Sequence, residues 1–164
     1  MQGRFFHKGG LTAPALLPAA LTVTVAATLA WQARAGGEAA DFPEHFAAGV
    51  HYATVKRGNI TEQLYTSRDA IEAAKSGKPF PSGTVITLVD SRDDQLFRYV
   101  VMQKRTGWGA ELPDAQRAGD WKFQWFNPDK TVKADEDLGR CMSCHQQRAS
   151  QDFVWSVDHM KKAP

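Results

Sequence analysis

The run Cys141-Met142-Ser143-Cys144-His145 holds both cysteines of the 164-residue chain. Two thiols three positions apart can close a disulfide, and with the adjacent histidine they could supply three of the four ligands of a zinc ion. The histidine directly after the second cysteine points to different chemistry. C-x-x-C-H is the attachment signature of haem c: both thiols add to the porphyrin vinyl groups, and the histidine ligates the iron. That chemistry uses both sulfurs and needs no third cysteine, whereas adjacent Cys and His ligands suit a tetrahedral ion poorly. The expected cofactor is therefore one covalently attached haem c, bound through Cys141 and Cys144, with His145 as the axial iron ligand.

What lies opposite His145 decides what such an iron does. Outside the first forty residues the candidates are His45, His51, His159, Met102 and Met160, and each reads equally well as a surface or core residue. An open sixth position is the expected outcome, able to take small ligands such as NO, CO or hydroxylamine. Arg148 and Arg140, on either side of the motif, are the candidate partners for haem propionates.

The elements that must position this site are mostly strands. Phe42, Phe46 and Val50 are spaced four apart behind Pro43, which predicts a short helix beginning near Asp41. ITEQLYTS reads as a strand, and Ser67 and Gly77 bracket a short helix. GTVITLVD and QLFRYVVMQK, separated by a polar turn, predict an antiparallel hairpin. Ile86, Leu88 and Asp90 share one face of its first strand; Phe97, Tyr99, Val101 and Gln103 share one face of its second. WKFQWF is a third strand with Trp121, Phe123 and Trp125 on one side. The fold class expected is α+β: a mainly antiparallel β-sheet with short flanking helices, ending in a C-terminal haem-attachment segment.

The first thirty-five residues read as a cleaved secretory signal peptide. Arg4 and Lys8 form a basic start, an uncharged apolar run follows, and Ala33 and Ala35 fit a small-x-small cleavage site. An uncleaved membrane anchor is the competing reading, weakened by Pro14, Pro18 and the scarcity of Leu, Ile and Phe. Residues 36–164 then form one haem c domain, and export places it in the periplasm. The chain carries 20 Lys and Arg against 18 Asp and Glu, but Arg4, Lys8 and Arg34 belong to the leader. The remainder is slightly acidic, which argues against a nucleic-acid partner.

With these residues in view, the chain resembles the cytochrome P460 and cytochrome c′-beta family. The resemblance rests on FPEHFAAGVHYATVKRGNITEQLYTS, GKPFPSGTVITLV, YVVMQKRTGWG, GDWKFQWF and CMSCHQQRASQDFVW in that order, over about residues 41–158. It implies a periplasmic homodimer with a late haem c motif, an open distal position and a redox cytochrome as partner. In the P460 branch a lysine cross-links the macrocycle and hydroxylamine is oxidised; here the matching position falls at Leu88, and the distal carboxylate falls near Gln103. Both departures point to the c′-beta branch, which binds NO and CO in an apolar distal pocket built here from Leu88, Ile86 and Gln103. Strand parity sets Lys104 away from the face of Val101 and Gln103. A hydroxylamine- or NO-oxidising enzyme is the alternative, and a simple electron-transfer cytochrome the second.

Overall fold

The computed structural model describes Gly3, residues 40–114 and residues 117–164; the leader assigned to residues 1–35 lies outside the described residues. Five strands form one antiparallel sheet in the order of the chain: β1 (Val50–Arg57), β2 (Ile60–Thr66), β3 (Val85–Arg92), β4 (Gln95–Lys104) and β5 (Trp121–Phe126). Three short helices accompany it: α1 (Arg68–Ser76), α2 (Leu138–Gln146) and α3 (Val157–Met160). The α+β, mainly antiparallel class expected from sequence is the one observed.

Local chemistry sets the connections. The β1–β2 hairpin closes at Arg57↔Ile60 with Gly58 left-handed at φ 58°. The β3–β4 hairpin turns through Asp93 and Asp94, at φ 50° and 60°, a primed-turn geometry that short polar side chains tolerate. Between β2 and β3 the chain detours through α1, whose first turn is capped by the Ser67 hydroxyl accepting from Ala70 N–H. Gly77, left-handed at φ 65°, ends that helix.

Both sheet faces are covered, unequally. On one face α1, α2 and α3 enclose the main core, which includes Ile71, Ile86, Met102, Trp121, Phe123, Val154 and Met160. On the other, the segment before β1 packs Phe42 edge-on against Tyr99 and Phe126. The expected helix from Asp41 does not form. Phe46–Ala48 is a single 3₁₀ turn, and the chain enters β1 at Val50. Gly49 passes so close to β2 that a Cβ there would lie 2.6 Å from the Thr66 carbonyl oxygen. The four-residue spacing of Phe42 and Phe46 instead serves an aromatic cluster, their rings meeting edge-on at 6.1 Å.

Candidate functional site

The C-x-x-C-H run lies on α2, which starts where the Asp137 carboxylate accepts from Gly139 N–H. One helical turn separates the two sulfurs, and both cysteines are free thiols, Cys144 exposed and Cys141 half-buried. Among the described residues no three His, Cys, Asp or Glu side chains assemble as a metal-binding group, so the motif presents no ready zinc site. Burial pushes the Cys141 thiol up from its ordinary range. The Trp125 indole and the Arg98 guanidinium oppose that shift by favouring the thiolate, although the buried indole N–H makes no hydrogen bond of good geometry.

His145 is fixed from behind. Its Nδ1 lies 2.6 Å from the carbonyl oxygen of Phe153. A carbonyl only accepts, so Nδ1 carries the proton and Nε2 keeps the lone pair that a metal would take. Burial lowers the imidazole's proton affinity, and the Phe153 carbonyl partly counters it. The result favours the neutral, ligating form. The Phe123 ring packs edge-on against the imidazole, centroids 4.7 Å apart.

These three residues open onto a cavity of about 700 Å³ between α2 and the sheet. The centre of its sheet side is apolar: Leu64 from β2, Ile86 and Leu88 from β3, Val100 and Met102 from β4, Phe123 and Trp125 from β5. The register explains the grouping, because Leu64 pairs with Leu88, Leu88 with Val100, and Met102 with both Ile86 and Phe123. Charges border this centre: Arg57, Glu62 and Arg98 on the same sheet, with Arg57 paired to Glu62, and Glu136, Asp137 and Arg140 at the start of α2. The volume falls within the roughly 300–1,000 Å³ of cofactor sites. Two thiols and a metal-ready imidazole on one wall, apolar side chains on the other and arginines among the lining residues fit a haem.

The structure redistributes several residues expected from sequence. Gln103 is not in the cavity: it pairs with Val85 and Lys122, on the opposite sheet face from Leu88. Leu88 faces Val100 across the hairpin, so the even-numbered residues of β4 line the cavity and the odd-numbered ones do not. By the same parity Lys104 belongs to the cavity face, but its ammonium is held 2.5 Å from the Asp152 carboxylate. Arg148 is absent from the lining; its guanidinium lies 3.8 Å from the centroid of the half-exposed Trp155 ring. Of the candidate second ligands, only Met102 lines the cavity, while Met160 is fully buried in the core.

Arg98 was missed by sequence reasoning. It sits opposite Asp90 in the hairpin, donates from Nε to Asp90 Oδ2 at 2.7 Å and stacks 3.7 Å over Trp125. The turn at Asp93–Asp94 alone would set Asp90 opposite Phe97; a bulge between Asp90 and Ser91 shifts the register by one and brings Arg98 there instead.

Residues 39–156 match the family model described as Cytochrome P460. No curated protein matches the chain.

Proposed function

The chain belongs to the cytochrome P460 family, and from that premise we propose that it is a periplasmic, mono-haem c protein whose open distal position binds diatomic ligands, NO foremost. Cys141 and Cys144 would hold the cofactor through thioethers, and His145 would ligate its iron. The haem, when bound, supplies an iron with a coordination position free for NO or CO.

The observation that carries this reading is the sheet-side wall. Leu64, Ile86, Leu88 and Val100 offer a ligand neither a proton nor a coordinating atom. No lysine lines the cavity among the described residues, which disfavours a cross-linked, hydroxylamine-oxidising site. The leader would export the chain to the periplasm, where a second copy and a redox cytochrome are the proposed partners.

One observation favours a second reading. Met102 is 7 % exposed and lines the cavity, so its thioether is the soft donor among the described lining residues suited to close the distal position. A Met102-ligated iron would make the protein an electron carrier. Substituting Met102→Leu separates the two. With an open site, the ferric and ferrous optical spectra of the variant match the wild type. Loss of a sulfur-to-iron charge-transfer band in the variant would establish methionine ligation and remove the gas-binding reading.

A further inference from the structure

Two consecutive non-glycine residues beyond α2, Asp152 and Phe153, which follow the 3₁₀ turn Ala149–Gln151, are left-handed, at φ 51° and 63°. A bulky aromatic in that region is a backbone outlier that persists only where its surroundings over-determine it. The surroundings here do so. Asp152 Oδ2 accepts from Phe80 N–H at 2.8 Å and from Lys104 Nζ at 2.5 Å. The Asp152 carbonyl accepts from Trp121 Nε1–H at 2.9 Å, and Phe153 N–H donates to the Arg148 carbonyl at 2.8 Å. The Phe153 ring covers Gly119, where a Cβ would come within 2.6 Å of it. The outcome of this clamp is the position of one atom: the Phe153 carbonyl oxygen, 2.6 Å from His145 Nδ1.

We propose that Asp152 is a positioning residue for the axial imidazole, acting through the strained turn it anchors, with Lys104 as its counter-charge. The proposal rests on His145 as the iron ligand. An Nδ1–H···O=C bond raises the basicity of a ligating imidazole and fixes its orientation. The Asp152 carboxylate ties that bond to the end of β4, two residues beyond Met102 on the same sheet face. Lys104, which parity brings to the cavity side, therefore has a role other than attacking the macrocycle.

Resonance Raman spectra of the ferrous holoprotein without added ligand, together with its reduction potential, test this. Asp152→Ala and Lys104→Met are expected to lower the iron–histidine stretching frequency and raise the potential, because the imidazole loses donor strength. Asp152→Asn keeps an acceptor for Phe80 N–H and tolerates the left-handed backbone, so it should fall between wild type and Asp152→Ala. A wild-type band and potential in Asp152→Ala overturn the proposal; if that variant does not accumulate, the same result in Lys104→Met does so. A wild type lacking the iron–histidine band contradicts the open-site reading instead, and the potentials then decide the clamp by themselves.

Discussion

Replacing Cys141 and Cys144 together by serine is expected to abolish covalently bound haem. Thioether formation needs a sulfur nucleophile, and a serine hydroxyl does not add to a vinyl group under the same conditions. Both thiols are free and border one cavity together with His145. Exported wild-type protein should therefore carry the mass of one haem after denaturation, and the double variant none. The effect on the fold should also be large, because the apolar wall from Leu64 to Trp125 would face a cavity of about 700 Å³ with nothing tethered in it. A denatured wild type with the mass of the bare polypeptide would refute the attachment. An additional linkage surviving in the double variant would point to a second covalent contact.

Substituting Arg98→Met is expected to destabilise the protein by about 3–5 kcal/mol, the usual cost of removing one partner from a buried ion pair. Asp90 is 1 % exposed, and its Oδ2 receives Arg98 Nε at 2.7 Å. Arg92 approaches the same oxygen only at 3.7 Å, and Asp90 Oδ1 has no partner. Without Arg98 the carboxylate stays buried with one distant cation, so the cost should lie toward the lower end of that range. The guanidinium also stacks on Trp125, which borders the cavity beside Cys141. Urea unfolding measures the loss. The double variant Asp90→Leu with Arg98→Met should recover most of it, because an apolar pair of similar volume leaves no charge uncompensated. A single variant within about 1 kcal/mol of wild type would mean that Arg92 alone suffices.

The legible parts of this protein are those fixed by short-range chemistry. Ser67 and Gly77 cap α1 as their residue types require, and the β3–β4 hairpin follows from a polar turn between two β-branched runs. The C-x-x-C-H spacing singled out Cys141, Cys144 and His145 as candidate haem-attachment residues without knowledge of the fold, and the structure sets all three on one cavity. What failed depends on a bulge between Asp90 and Ser91 that the turn does not announce, or on contacts between distant segments. Alternation within β4 groups Val101 with Gln103 correctly, but only the register against β3 tells which group meets Leu88. That one-residue ambiguity exchanged Gln103 for Met102 and misplaced Lys104. The β1 strand was hidden because Phe42 and Phe46 are spaced like a helix while packing against Tyr99 and Phe126 of the sheet. The left-handed pair Asp152–Phe153 carries no glycine to announce it; Lys104, Phe80 and Trp121 hold it from positions remote in sequence.

The most direct test of the central claim is the optical spectrum of the ferrous, haem-loaded protein before and after stoichiometric NO. The account predicts a high-spin spectrum that converts completely on adding NO, because the apolar wall around Leu88 leaves the distal position open. A low-spin ferrous spectrum unchanged by NO would contradict it and assign Met102 to the iron.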